Sequence, residues 1–394
     1  MCQLDMLFEA IEALEVRCLW IDTISVPINP KFKRRAISKL RETYTMATKV
    51  LVVDRRLMQF GSHWMERRLQ VLASEWMGRL WTLQEGRLAS ELYFQFKDKA
   101  VGATELVDAH PNEEHEDLAS LSRCFAHTGK ENRVYFEKQD SVIKKFLNLI
   151  EDLSPRSVTF ASDEPICIAT LLGLKLEDFH PYPTMVDIYR SMEAIPPEVL
   201  FLTAPKINLP GFRWAPTTFL ELDRRWFIYP DRQSAKLTPR GLELTKDCIF
   251  LSGDIEIKKG NMYFVNQSTD DSKSTFAFQR SNNSRADSKT KTFKDAAIII
   301  ERSEDTFTGS SSGVLVSVAS TDTGKRSSFI KSTRRLLKSK KKEEPIHCTF
   351  EMQLVVFPVN ESTTPEIERR LAWPDSKSIN LSGDFCRDVE FCVD

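Results

Sequence analysis

The chain carries no excess charge of either sign: 55 basic side chains face 56 acidic ones, for a formal net charge of -1. No global field therefore draws it to nucleic acid or to an anionic membrane. No stretch approaches the ~20 consecutive apolar residues that a membrane-spanning helix needs. The opening MCQLDMLFEAIEALEVR has acids inside its apolar pattern, and it lacks the basic start and unbroken apolar core of a signal peptide. A cytoplasmic protein is expected, with neither membrane nor nucleic acid as partner. The Asn-x-Ser sequon at Asn380 then has no glycosylation to report.

Motifs for the common chemistries are missing as well. The eight cysteines stand at 2, 18, 124, 167, 248, 348, 386 and 392, with no Cys-x-x-Cys pair and no histidine at zinc-ligand spacing. Reduced, mostly buried thiols are expected, and no metal site. Neither GxGxxG nor GxxxxGK[ST] follows an expected strand, which disfavours a dehydrogenase or a P-loop enzyme. A Ser-His-Asp hydrolase would need a GxSxG elbow and a histidine base, and the six histidines are scattered. TGSSSGV at 308–314 reads as a flexible turn by composition. KSTRRLLKSKKK at 331–342, followed by Glu343 and Glu344, reads as a solvated loop before a phosphate contact or an import signal.

What is present is an ordinary globular composition, 41% hydrophobic with 25 Phe and 7 Trp in 394 residues. That length predicts two or three domains. Leu4, Leu7, Phe8, Ile11 and Leu14 recur at helical spacing. Cys18–Ile21 reads as a short apolar strand closed by Asp22, followed by a loop with Pro27 and Pro30. Residues 34–48 return to helical spacing through Ile37, Leu40, Tyr44 and Ala47, and Val50–Val53 is a second strand ending in Asp54. Helices over about 63–73 and 75–90 and a strand at Leu92–Phe96 complete the series. Such alternation predicts an α/β module with a parallel sheet, whose ligand crevice lies beyond the carboxyl ends of the strands.

From 100 to 155 the pattern is helical but polar, and a loop leads into the helix containing IATLLGL, with Ser162 as N-cap and Pro165 in its first turn. Beyond 236 the period falls toward two, in DCIFLSGD, GNMYFV, TFAFQ, AAIIIE, GVLVSVA and HCTFEMQLVVFPV. We therefore divide the chain into an α/β module with a helical extension over 1–235 and a β-rich domain over 236–394, sandwich or barrel. Polar stretches near 266–294 and 320–345 read as mobile loops.

The segment SEWMGRLWTLQEGRLASELYFQF at 74–96 is the most unusual. On one continuous helix Met77, Leu80, Trp81, Gln84 and Leu88 share a stripe with Glu85 at its edge. An amide and a carboxylate at adjacent near-interior positions must each find a partner or forfeit about 1–3 kcal/mol. They either brace backbone and pair with Arg79 or Arg87, or they serve a ligand.

Four blocks add a resemblance. LWIDTISVP at 19–27, ETYTMATKVLVVDRRL at 42–57, GRLWTLQEGRLA at 78–89 and RSVTFASDEPICIATLLGL at 156–174 resemble, in order and spacing, motifs of the fungal heterokaryon-incompatibility (HET) domain. GFRWAPTTF at 211–219 looks like a further block of HET-like proteins. HET domains act in non-self recognition and trigger cell death. They are similar to TIR domains, so the resemblance implies a flavodoxin-like fold. In enzymatic TIR domains a Trp-Cys-x-x-Glu pattern supports cleavage of NAD at the nicotinamide bond, and Trp81, Thr82 and Glu85 occupy that pattern here with Thr in place of Cys.

The resemblance implies NAD as a substrate, not a resident cofactor, and Glu85 as the catalytic carboxylate that stabilises a developing ribosyl cation. Asp22 would bind a ribose hydroxyl or simply cap its loop. Trp81 would stack on a base or sit in the core, and Arg79 would meet a phosphate or remain solvated. HET domains open with a strand bearing a Ser-Tyr-x-Trp-Gly-like motif, and this sequence begins at the following helix, so the sheet is expected to be incomplete at its N-terminal side. Two functions follow: a cell-death effector that cleaves NAD, or a non-catalytic HET-like interaction module with an unknown protein partner or with itself.

Overall fold

The computed structural model describes residues 8–9, 11–12, 14–16, 18–59, 61, 63–108, 142–222, 234–267, 276–281, 291–301, 309–319, 344–372 and 376–394. The chain forms two compact units, 1–188 and 189–394. Helices combine with mixed β-sheets, the large sheet being C-terminal. Among the described residues no helix is long and apolar enough to cross a membrane.

In the first unit, α1 (Asp22–Ser25), α2 (Pro30–Ser38) and α3 (Leu40–Met46) precede β1 (Val50–Val52). Then come α4 (Trp64–Leu72), α5 (Glu75–Gly78), α6 (Thr82–Leu88), β2 (Leu92–Gln95), β3 (Ala100–Gly102), α7 (Ala103–Asp108), α8 (Val142–Leu153) and α9 (Asp163–Leu172). β1 runs parallel to β2, with Val50 opposite Leu92 and Val52 opposite Phe94, while β3 runs antiparallel to β2. The sheet is therefore mixed, and its single parallel pair does not define a flavodoxin-like sheet. Val52, Leu57, Val71, Trp76, Leu92, Phe94 and Phe96 form its core.

Local chemistry sets several boundaries. Asn29 accepts from the Lys31 N–H at 3.1 Å with Pro30 behind it, so α2 starts there. Helix α9 stops at Gly173, whose φ of +77° suits a residue without Cβ, and Leu174 N–H returns to the Ala169 carbonyl at 2.9 Å. Arg41 Nη1 donates to the Thr170 carbonyl of the same terminus at 2.8 Å.

Several expected elements are redrawn. Cys18–Ile21 is not a strand: Cys18, Leu19 and Trp20 are exposed, and among the described residues β1 hydrogen-bonds only to β2. An apolar run with no strand beside it has no ladder to join. Asp22 therefore begins a short helix rather than closing a strand. The helix expected over 34–48 is broken at Lys39 into α2 and α3. The helix expected over 75–90 is broken at Arg79, whose extended backbone bridges Ser157. Ser162 precedes α9 without a side-chain cap. Residues 109–141, the basic run at 331–342 and most of the two polar stretches lie outside the described residues. TGSSSGV contributes to a strand rather than a turn, since Ser311 opens one.

The second unit holds β4 (Lys236–Thr238), β5 (Gly241–Leu251), β6 (Ile255–Ile257), β7 (Met262–Gln267), β8 (Phe276–Arg280), β9 (Lys291–Phe293), β10 (Ala296–Ile300), β11 (Ser311–Val318), β12 (Ile346–Pro358) and β13 (Ser378–Val393), with α10 (Thr364–Leu371) between the last two. The eight-stranded sheet runs β10-β11-β12-β8-β7-β13-β5-β4, and β10 also pairs with β5. The sheet thus returns on itself, which covers the free edge of β10 and leaves the short β4 outside the closure. Ile249, Tyr263, Val265, Phe278, Ile298, Leu315, Leu354 and Val356 lie in one core within it.

The division between the units falls before the change of period at 235/236. Residues 189–222 belong to the second unit: Ala235 and Ile195 exchange backbone bonds, Gln353 donates to the Leu202 carbonyl, and Asp394 accepts from Gly211 N–H and from Arg213 at 2.6 and 2.7 Å. Little of this stretch is regular, so periodicity is silent about it. Its anchors are Trp214 and Phe219, both fully buried and edge-on to Tyr189.

Candidate functional site

The break between α5 and α6 builds the site. Leu80 N–H donates to Ser157 O at 3.0 Å and Ser157 N–H to Gly78 O at 2.8 Å, so residues from 157 replace the missing turn of helix. The buried Arg156 holds the same break. Its Nη1 donates to the Arg79 carbonyl at 2.7 Å and to the Thr82 hydroxyl at 3.1 Å, and its Nε to the Asp152 carbonyl at 3.1 Å. Two motif blocks far apart in sequence, 78–89 and 156–174, are thereby joined.

Glu85 lies in the first turn of α6, half-buried. The Trp76 indole Nε1 donates to Glu85 Oε2 at 3.0 Å, and the Trp76 ring stands edge-on to Phe94 with centroids 5.4 Å apart. Burial pushes the Glu85 carboxyl above its ordinary range, opposed by the Trp76 bond; the Asp22 charge pushes it further, and Arg79 and Arg156 pull it back. Glu85 makes no ion pair within 4 Å among the described residues. The Tyr44 phenol, held high by burial and by Glu85, Asp22 and Cys167, meets Trp20 edge-on at 5.6 Å.

The other expected residues gather near Glu85 only in part. Asp22 is exposed and accepts from its neighbour Thr23 through N–H at 2.6 Å and hydroxyl at 3.1 Å, the geometry of a loop cap, although its charge reaches Glu85. Trp81 is committed elsewhere, its Nε1 donating to Asp163 Oδ2 at 2.8 Å and tying the start of α6 to the start of α9. Arg79 is exposed, and its carbonyl rather than its guanidinium does the anchoring. Arg87 pairs with Asp152. Gln84 is fully buried, beside a Cys167 thiol that burial pushes up to about 12. Its amide closes no hydrogen bond of ordinary geometry among the described residues.

Trp76, Tyr44 and Arg156 were not singled out from sequence. Each sits inside a segment or block already quoted, but nothing in residue type says that Trp76 rather than Trp81 faces the carboxylate. A break at Arg79 changes which tryptophan is near.

Two surface features lie apart from Glu85. Between residues 19 and 32 the first unit exposes Leu19, Trp20, Ile24, Ile28 and Phe32, with Ile24 at 78% and Ile28 at 97% exposure. A cleft of about 380 Å³ is lined by Lys31, Arg34, Arg35, Lys39, Glu177 and Tyr182 among others, and by none of Glu85, Asp22, Trp81 or Arg79. Among the described residues no group of three His, Cys, Asp or Glu could hold a metal ion. Cys18, Cys167, Cys248, Cys348, Cys386 and Cys392 are free thiols, mostly buried as expected.

No protein-family model, curated protein or solved structure matches the chain.

Proposed function

We propose that the first unit is a HET-like module, TIR-like in descent of shape, that acts in non-self recognition or cell death by engaging a protein partner and not by cleaving NAD. The observation that carries this reading is the placement of Glu85: its carboxylate is half-buried and accepts from the Trp76 indole at 3.0 Å. A carboxylate that stabilises a ribosyl cation must be free to face the ribose, and this one is engaged by an indole. The exposed apolar residues between Leu19 and Phe32 supply a binding surface of the composition that interfaces use.

Cell death on overexpression in a fungal host tests it. Death that persists in Glu85→Gln and is lost in Ile24→Asp/Ile28→Asp is the expected result; abolition by Glu85→Gln alone overturns it. Purified protein incubated with NAD is expected to release no nicotinamide above the Glu85→Ala control.

The NAD-cleaving reading is favoured by one feature, the company Glu85 keeps. Asp22, Tyr44, Arg79 and Arg156 all act on one another or on it electrostatically. For that chemistry the carboxylate would leave Trp76 and face the ribosyl cation as nicotinamide departs with the bonding pair of the C–N bond. Glu85-dependent nicotinamide release establishes it.

A further inference from the structure

The cleft beside α2 collects more positive charge than any structural need explains. Lys31, Arg34, Arg35 and Lys39 line it, against a single carboxylate, Glu177. Lys39 is committed to Glu42 at 2.9 Å. Glu177 is committed too, held low by its own backbone N–H and the Ser38 hydroxyl. Lys31 and Arg35 are exposed and make no ion pair among the described residues.

Arg34 differs from these. It is half-buried, its Nη2 donates to the Phe179 carbonyl at 2.7 Å, and its guanidinium lies 5.6 Å from the centroid of the Tyr182 ring. A guanidinium fixed by a carbonyl and an aromatic face has already lost much of its rotamer freedom, so a further hydrogen bond to an anion costs less ordering than one from a free lysine. Like charges crowded on one wall repel each other until an anion enters between them. The volume, about 380 Å³, falls in the range of roughly 300–1,000 Å³ usual for small-molecule sites.

We propose that this cleft binds a small ligand bearing two or more phosphate groups, with Lys31, Arg34 and Arg35 on the phosphates and Tyr182 as the wall against which the rest of the ligand lies. Two adjacent phosphates fit the arrangement better than one carboxylate, because three cations can each be matched only by an anion of higher charge. The site is independent of Glu85 and of the apolar surface, so it stands or falls apart from the reading given above.

The test is calorimetric titration of the full chain with inorganic pyrophosphate and with ADP at low salt. Binding that weakens as salt is raised and falls about tenfold or more in Lys31→Ala/Arg35→Ala is expected. Both positions are exposed, so the variant keeps its fold, checked by an unchanged circular dichroism spectrum. Lys97→Ala/Lys99→Ala removes the same charge elsewhere and is expected to leave binding within about twofold of the parent, as a non-contacting pair should. Tighter binding of ADP than of pyrophosphate, weakened by Tyr182→Ala, assigns a nucleotide; equal binding assigns bare polyphosphate. Absence of binding for both at millimolar concentration, or an equal loss in the Lys97/Lys99 variant, overturns the site.

Discussion

Cys18–Ile21 in the first unit and Ile298–Ile300 in the second are both short apolar runs, yet one is coil, exposed at its first three residues, and the other is strand with every residue buried. The difference lies in their neighbours. Ile298 and Ile299 stand between β5 and β11, which take up their backbone groups on both sides. No strand among the described residues offers the first run a ladder. Apolar composition makes a strand possible; a hydrogen-bonding partner makes it real. The same contrast runs through the two units: the second rests on a sheet that closes on itself, and the first on a small sheet whose helices are held by polar contacts from distant loops.

The sharpest way to break that contrast is a charge in the closed sheet. Ile298→Asp places a carboxylate at a fully buried position, and a cost above about 4 kcal/mol is expected. Loss of protease resistance across residues 189–394 reads it, and tolerance would show that the sheet is loosely packed. Next in size is Arg156→Ala, which removes the hydrogen bonds that hold the α5–α6 break. A loss of about 2–3 kcal/mol is expected in the urea midpoint of the first unit.

Glu85→Gln sharpens the comparison by its sign. The folded carboxyl is raised above its ordinary 4.5, so its contribution is fully present below pH 4.5 and is lost as pH rises through the folded value. The amide keeps an acceptor for Trp76 and cannot ionise. The variant is therefore expected to melt no lower than the parent at pH 7.5, and to lose the parent's stability gain on acidification to pH 4.5. Smallest is Ile28→Ser at the 97% exposed position, where stability should move by no more than about 0.5 kcal/mol. A larger loss would mean that this side chain packs within the unit.

Part of this molecule was legible before its coordinates. Val50–Val52 and Leu92–Gln95 emerged as strands at the expected places, because apolar β-branched and aromatic runs bounded by turns do not fit an exposed helix. The period-two pattern after 236 became a β-rich unit for the same reason. The site was legible only as a segment. Glu85 stands out as a carboxylate beside the apolar stripe, with backbone, Arg79 or Arg87 as its expected partners on a continuous helix. The real partner is Trp76, across a break that residues 156 and 157 create.

The sequence by itself determined what is local: where α2 begins, through Asn29 and Pro30, where α9 ends, through Gly173, and that no described helix spans a membrane. Tertiary structure alone decided the break at Arg79, the coil at Cys18–Ile21, the closure of β10 onto β5 and the gathering of cations beside Tyr182. Helix preferences amount to a few tenths of a kcal/mol per residue. A pair of backbone bonds or a buried guanidinium arriving from a distant residue is worth several times that, and no short window of sequence contains it.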